Sequence, residues 1–156
     1  MNKRQFILGA LSGTLASTLS SVTWAQAKPV VEVWKSPTCG CCHDWIAHMQ
    51  ANGFNVQAHD VSEADKAAQR RRLGMPAELG SCHTARVGGY TLEGHVPAAD
   101  VQRLLRERPK AVGLAVPGMP IGSPGMDGPA YGGRRDPFDT LLVLPTGQTQ
   151  TFAHHK

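Results

Sequence analysis

Four cysteines are the residues of this sequence with the clearest capacity for chemistry, and three of them are almost adjacent. Cys39, Cys41 and Cys42 form one short cluster, whereas Cys82 stands alone farther along the chain. Four cysteines in an exported chain usually form two structural disulfides, but neighbouring cysteines are poorly placed to join distant segments. The spacing therefore favours a reactive or metal-binding thiol site over a disulfide framework.

The residues that follow the cluster predict a helix beginning at the cysteines. Apolar side chains recur at Cys42, Trp45, Ile46 and Met49, which is the i, i+3, i+4, i+7 pattern of one buried helix face. A helix N-terminus lowers the pKa of a thiol because its unpaired N–H groups and its dipole stabilise the thiolate. We expect Cys42 to be the more buried thiol and Cys39 to face outward.

The surrounding patterns predict a single α/β domain with a thioredoxin-like order of elements, β-α-β-α-β-β-α. The predicted segments are strands over 30–34 and 54–59, a helix over 62–73, a hairpin of 82–87 and 90–93, and a third helix that begins at Pro97. The β-α-β start implies a parallel pair of strands, and the hairpin adds antiparallel strands. This order places the cysteines between the first strand and the first helix.

In this topology Cys82 opens the strand that starts opposite the N-terminus of the first helix, so its sulfur would point at the other three. Four convergent thiolates are soft ligands, which select Cu(I), zinc or iron–sulfur clusters. Ferredoxin spacings are absent, and structural zinc sites use cysteine pairs separated by two to four residues. Adjacent Cys41 and Cys42 are better suited to bridging several Cu(I) ions, so copper is favoured and zinc is the alternative.

Methionine and histidine side chains offer further ligands near the cysteines. Met119 and Met126 lie in a stretch rich in Gly and Pro, 113–137, that we predict to be a long irregular loop. Their thioethers either bind Cu(I) or fill gaps over the core. His43, beside the cluster, and His83, beside the fourth cysteine, are candidates to complete the metal site.

The C-terminal segment predicts a β-hairpin of 140–144 and 148–152 around a Pro-Thr-Gly turn. His154 and His155 follow it and are expected to lie in a frayed tail. His95, just before the third helix, is expected to be a packing or hydrogen-bonded histidine.

Residues 1–27 have the features of a secretory signal peptide. Lys3 and Arg4 precede an apolar run, and Ala25-Gln26-Ala27 is a small-x-small cleavage site. The run is too short and too rich in Gly, Ser and Thr to span a bilayer. Without the two leader cations, 14 Lys and Arg would face 12 Asp and Glu, which argues against nucleic-acid binding. We expect domain 28–156 to be periplasmic, with copper ions and other copper-handling proteins of that compartment as partners.

Several motifs, taken in order, resemble one known family. They are Ser36-Pro37-Thr38-Cys39-Gly40-Cys41-Cys42, Ser81-Cys82-His83-Thr84-Ala85, Glu93-Gly94-His95-Val96-Pro97-Ala98, and Pro117-Gly118-Met119-Pro120 with Gly122-Ser123-Pro124-Gly125-Met126. Together they resemble the CopG-type periplasmic copper-resistance proteins over nearly all of 28–156. The resemblance implies a thioredoxin-like fold, a cysteine-bridged multinuclear copper cluster at Cys39, Cys41, Cys42 and Cys82, and a role in copper tolerance that extends to copper oxidation-state chemistry.

Two other functions stay open at this point, and the sequence leaves open whether the protein is an enzyme. A thiol–disulfide oxidoreductase would use Cys39 as nucleophile and Cys42 as resolving thiol. Cys41 and Cys82 count against this function because extra thiols nearby would trap the intermediate in wrong disulfides. The other alternative is a module held together by disulfides that binds no metal.

Overall fold

Strand β1 (Val30–Lys35) leads directly to the cysteine cluster. The computed structural model describes residues 27–156, so the predicted signal peptide lies, except for its last residue, outside the described residues. Val31 and Val33 are buried on one face of β1, as alternation in a half-buried strand requires. The chain then turns and enters α1 at the cysteines.

The elements follow the predicted order as far as the third helix. They are α1 (Gly40–Ala51), β2 (Asn55–Asp60), α2 (Glu63–Arg72), β3 (His83–Val87), β4 (Tyr90–Glu93), α3 (Ala98–Glu107), β5 (Gly113–Ala115), β6 (Phe138–Val143) and β7 (Thr149–His155). Ser62 caps α2 by accepting a hydrogen bond from the Asp65 backbone N–H. The prediction of a mixed α/β domain is confirmed.

All seven strands form one mixed sheet in the order β2-β1-β3-β4-β5-β6-β7. Strand β1 is parallel to β2, and β4 is parallel to β5, whereas the other neighbours are antiparallel. Lys35, at the end of β1, pairs with His83, at the start of β3. This register places Cys82 beside the segment that connects β1 to the cysteine helix.

A large apolar core joins the sheet to α1 and α3. Its fully or nearly fully buried members are Val31, Val33, Trp45, Met49, Phe54, Ala85, Val87, Leu92, Val96, Ala98, Val101, Leu104, Leu114 and Val116. Trp45 is anchored there because its indole N–H donates to the Val96 carbonyl at 2.9 Å. The helix that carries the cysteines is therefore fixed on the sheet one turn beyond the cluster.

The prediction of one irregular loop over 113–137 is wrong at its start. Gly113–Ala115 forms β5, which lies between β4 and β6. Pro129–Tyr131 adds a short 3₁₀ helix. A strand of three residues has no periodicity to detect in sequence, and its partners come from distant segments, so only the tertiary structure reveals it.

The prediction of a frayed tail at His154 and His155 is also wrong. Both residues belong to β7 and pair with Asp139 and Phe138 of β6. The His155 ring stacks on Phe138, and its Nε2 lies 2.9 Å from the Asp100 carboxylate on α3. The chain end is held because strand pairing and a buried carboxylate from another element contact it. No α-helix among residues 27–156 is long and apolar enough to cross a membrane.

Candidate metal centre

The structure brings the four cysteines together at the N-terminus of α1. Their sulfur atoms all lie within 4.8 Å of one another. Cys39 and Cys42 form a disulfide, while Cys41 and Cys82 are free thiols. The Cys41 Sγ is 3.6 Å from the Cys39 Sγ and 3.7 Å from the Cys82 Sγ. Sulfur atoms at these distances can bind a shared metal ion or exchange a disulfide bond.

The first turn of α1 has free backbone N–H groups near the cysteine sulfurs and no carboxylate that could bind those N–H groups. Cys39 occupies the N-cap in an extended conformation, its side chain makes no capping hydrogen bond, and the first turn contains no acidic residue. The first backbone N–H groups of a helix have no partner within the helix, and they carry the positive end of its dipole. The lowering of thiol pKa values by this helix end stays a prediction. Cys42 is fully buried and Cys39 is half-buried, in the predicted order.

The Cys82 thiol lies in a different electrostatic environment. Burial, followed by the neighbouring Cys41 thiol, raises the pKa of Cys82 to about 12. The Lys66 ammonium opposes this shift and also donates a hydrogen bond to the Cys82 carbonyl at 2.9 Å. Lys66 is nearly buried and pairs with the exposed Glu63 carboxylate. Metal binding by Cys82 must displace a tightly held proton, and Lys66 makes that displacement easier.

A buried ion pair fixes the segment just before Cys82. Glu93 is fully buried and accepts hydrogen bonds from the Ser81 backbone N–H at 2.6 Å and the Thr84 hydroxyl at 2.7 Å. The Arg70 guanidinium lies 2.9 Å from the same carboxylate and also donates to the Ser81 carbonyl. Glu93 therefore binds the residues on both sides of the Cys82–His83 dipeptide. Burial raises the pKa of Glu93, and the Arg70, Thr84 and Ser81 donors oppose this rise.

Sequence reasoning missed Lys66, Arg70 and Glu93. A signal was present in α2, where Lys66 and Arg70 are four residues apart and share one helix face, in a helix with few apolar residues to bury. A helix packed on a sheet through long cationic side chains requires acidic or carbonyl partners beneath it. Glu93 is one of these partners.

The two predicted histidine ligands, His43 and His83, lie in different environments. His43 is exposed, and its Nε2 lies 3.1 Å from the Lys35 ammonium, which also contacts Asp60. The ammonium can only donate, so the His43 Nε2 lone pair is occupied. His83 is fully buried, and its ring packs against Trp45 with 4.2 Å between ring centroids.

The two predicted methionine ligands have different environments. Met119 is 51% exposed and, with Cys82 and Ser81, lines an open cavity of about 310 Å³. Met126 is buried, and its sulfur accepts a hydrogen bond from the Tyr131 hydroxyl at 3.2 Å. The Met119 thioether is the one that shares an open space with a cysteine of the cluster.

The loop between the two methionines packs directly on the cysteine helix. Gly125 has φ +88°, and a Cβ placed there would lie 2.5 Å from the Cys41 carbonyl oxygen and 2.9 Å from the Trp45 nitrogen. The preceding residue, Pro124, accepts a hydrogen bond from the His95 Nδ1 at 2.9 Å. Glycine is required because the backbones of the loop and α1 are in contact.

Comparisons with known proteins relate the chain to one family. A sequence profile described as "Protein of unknown function, DUF411" matches residues 79–126. No curated protein sequence gives a significant match to the chain. The solved structure "Copper resistance protein copG- Form 1" is 45% identical, with a TM-score of 0.73 over 81% of this chain and 96% of its own. Its "Form 2" is 47% identical, with a TM-score of 0.74 over 82% of this chain and 98% of its own.

The similarity to these structures covers nearly their whole length, at an identity too high for a likeness of fold alone. The matched profile, over 79–126, covers the segment that carries Cys82 and both loop methionines. The clustered cysteines, the methionine loop and these relatives lead to one family assignment. The chain belongs to the CopG family of copper resistance proteins.

Proposed function

We propose that this protein is a periplasmic copper-binding protein for copper homeostasis and resistance, which holds Cu(I) in a multinuclear site formed by Cys39, Cys41, Cys42 and Cys82. The observation that carries the proposal is the meeting of four cysteine sulfurs within 4.8 Å of one another. Crowded thiolates bridge soft monovalent ions well, because each sulfur can contact more than one ion. The relatives described as copper resistance proteins support copper over zinc.

Loading of the full site requires reduction of the Cys39–Cys42 disulfide. An external dithiol supplies the two electrons and two protons that convert that disulfide into two thiols and is itself oxidised to a disulfide, and binding of Cu(I) then releases the thiol protons. The N-terminus of α1 stabilises the negative charge of the Cys39, Cys41 and Cys42 thiolates. Copper is the cargo of this site. In the disulfide form, Cys41 and Cys82 are the two thiols of the cluster that remain available to bind it.

The proposal also includes export to the periplasm and a thioredoxin-like fold. The leader over 1–27 would deliver the chain to the periplasm, where copper-handling proteins would exchange ions with it. A helix that begins with cysteines directly after a sheet strand is the arrangement expected of a thioredoxin-like domain. Strands β5, β6 and β7 would be additions to that domain.

Met119 is proposed as an accessory ligand at the outer side of the cluster. Its exposed thioether and the Cys82 thiol line the same cavity, whose opening would allow copper to arrive from solvent or from a partner. Met126 is less suited to bind copper because its sulfur already accepts a hydrogen bond from the Tyr131 hydroxyl. His43 would have to release Lys35 before its Nε2 could bind metal.

Anaerobic titration of the reduced chain 28–156 with Cu(I), in the presence of a competing chelator, tests the proposal. We expect uptake of several equivalents, with thiolate-to-copper charge-transfer absorption that is absent from the variant in which all four cysteines are serine. Parallel titration with Zn²⁺ is expected to give weaker binding. Absence of that absorption in the reduced wild type would end the proposal.

Thiol–disulfide exchange is the second candidate function, and the Cys39–Cys42 disulfide favours it. In this reaction a reduced Cys39 thiolate attacks a substrate disulfide, and Cys42 then displaces the substrate thiol, which leaves the substrate reduced and Cys39–Cys42 oxidised. Insulin reduction distinguishes the two functions. Turnover that needs Cys39 and Cys42 but not Cys41 or Cys82 would favour the oxidoreductase over the copper site.

A further inference from the structure

Two buried histidines beside the cysteine cluster leave three ring nitrogens without a partner. His83 and His95 are both fully buried. Neither nitrogen of His83, nor Nε2 of His95, meets hydrogen-bond geometry with a described residue, although the Gly94 backbone lies close enough to His83 to raise its pKa against the lowering by burial. An unsatisfied buried polar group costs about 1–3 kcal/mol, so three such atoms in one place indicate a bound partner, which is either a buried water or an ion.

The contact between His95 and the loop settles which nitrogen of His95 carries a lone pair. Its Nδ1 lies 2.9 Å from the Pro124 carbonyl oxygen, and a carbonyl can only accept. The proton is therefore on Nδ1, and Nε2 presents a lone pair. Histidines that bind metals are commonly held in this way, with one ring N–H donated to a carbonyl or carboxylate and the other nitrogen facing the ion.

The spacing of the two rings suits a shared ion. Their centroids are 5.3 Å apart, yet no hydrogen bond joins the rings. A hydrogen bond would need the nitrogens within about 3.2 Å. An ion bound about 2.0 Å from each of two nitrogens requires those nitrogens to be at most about 4 Å apart. Two rings whose centroids are 5.3 Å apart reach this separation when their nitrogen-bearing edges face each other.

We propose that His83 and His95 form a second copper site, in which two neutral imidazoles bind one Cu(I) ion on the inner side of the thiolate cluster. Imidazole nitrogen is a good copper ligand, and a monovalent ion is satisfied by two donors. The site lies next to the cysteines because His83 follows Cys82 directly, and the ring of His83 contacts Trp45 on the cysteine helix. This inference goes beyond the proposed thiolate site and rests on the proposed function only for the identity of the metal.

The Pro124 segment that contacts His95 also borders an open cavity. Pro97 and Pro124 line an open cavity of about 350 Å³ together with Asp127. Pro124 is the residue that His95 contacts, and the Asp127 carboxylate acts electrostatically on His95, whose pKa it raises against the lowering by burial. Arg135 and Lys156 line the same cavity as Asp127, and buried Pro124 lies between the cavity and the His95 ring.

The test uses the variant of 28–156 in which Cys39, Cys41, Cys42 and Cys82 are all serine, because it has no thiolate to compete for copper. Anaerobic titration with Cu(I) is expected to show about one equivalent bound, and X-ray absorption is expected to show two nitrogen neighbours at about 2.0 Å. Adding His95→Asn keeps an amide donor for Pro124 but removes the Nε2 lone pair. It is expected to weaken binding at least about tenfold.

The matched control is His59→Asn in the same background, since His59 is an exposed histidine that stacks on Trp34 at the other side of β1. Binding should be unchanged in this control. No uptake by the four-serine variant, or uptake that His95→Asn leaves unchanged, overturns the inference while the thiolate site stands. If His95→Asn fails to fold, the absorption spectrum of the four-serine variant decides alone: oxygen or sulfur neighbours in place of two nitrogens overturn it.

Discussion

The Cys82 Sγ lies 3.7 Å from the Cys41 Sγ, although 41 residues separate the two in sequence. The register of the sheet produces this contact, because Lys35 at the end of β1 pairs with His83 at the start of β3. Cys82 therefore arrives beside the N-terminus of α1 with no long loop to position it. Hydrogen bonds from the Ser81 N–H and the Thr84 hydroxyl to the Glu93 carboxylate hold the Cys82 segment in this place.

Cys82→Ser is expected to lower Cu(I) affinity by more than about 100-fold and to reduce the number of ions bound, because the bridge between the helix and β3 is lost. Competition with a Cu(I) chelator measures both quantities. Thr38→Ala is the matched control, since the Thr38 hydroxyl contacts only Ser36 at the surface. Equal affinity of Cys82→Ser and wild type would show that Cys82 is not part of the site.

The reactivity of Cys82 is expected to depend steeply on pH. With a pKa of about 12 against an ordinary 9.0, its thiolate fraction at pH 8 is lower than that of a free thiol by on the order of 10³. Alkylation of Cys82, separated from Cys41 by peptide mapping, should rise up to about pH 12. Lys66→Met should raise the pKa further and slow alkylation at every lower pH.

The raised pKa of Cys82 also predicts how the stability of the fold changes with pH. The folded chain holds the Cys82 proton at pH values where the unfolded chain has lost it. The free energy of unfolding therefore has its full value below pH 9.0 and falls as the pH rises toward about 12. Urea unfolding of the wild type and Cys82→Ser across this range measures it. A difference between the two that does not change with pH would contradict the raised pKa.

Gly125→Ala is expected to destabilise the methionine loop more than Gly118→Ala does. Both glycines have positive φ, so both substitutions carry a conformational cost of about 1–2 kcal/mol. Only at position 125 does the new Cβ meet α1, 2.5 Å from the Cys41 carbonyl oxygen, which adds about 1–3 kcal/mol. Thermal unfolding compares the pair, and equal losses would mean that the loop does not press on the helix.

Arg70→Met is expected to cost about 3–5 kcal/mol of stability, because it leaves the fully buried Glu93 carboxylate without its cation. Combining it with Glu93→Gln should recover much of this loss, since the neutral amide oxygen can still accept from the Ser81 N–H while its NH2 group donates to the Thr84 hydroxyl oxygen. Denaturant unfolding of the two single variants and the double variant gives the coupling. Additive losses would argue against a direct ion pair.

Met119→Leu is expected to weaken Cu(I) binding by about tenfold with little change in stability, since the side chain is exposed beside Cys82. Met126→Leu is expected to show the reverse pattern, a loss of stability below about 1.5 kcal/mol with nearly unchanged copper affinity. Chelator competition and thermal unfolding of both variants provide the comparison. Equal effects of the two substitutions on copper affinity would contradict the distinction between them.

Local features of the sequence were enough to predict the elements nearest the cysteines. The apolar spacing from Cys42 to Met49 predicted α1, and Ser62 with Asp65 predicted the start of α2. These patterns are readable because a helix face and a cap involve residues within a few positions of one another. The short strand β5 and the pairing of His155 were missed because their partners are remote in sequence.

By itself, the sequence determined the order of the main elements, the placement of three cysteines at a helix start, and the family. Only the tertiary structure decided what surrounds the fourth cysteine. Lys66 donates to the Cys82 carbonyl, and Glu93, paired with Arg70, accepts from the Ser81 N–H. Nearby are the ring nitrogens of His83 and His95 that lack hydrogen-bond geometry with any described residue. The physical reason is that a thiol's proton affinity and a histidine's free lone pair depend on burial and on charges from other elements. Sheet register brings those elements together, and no short stretch of sequence encodes it.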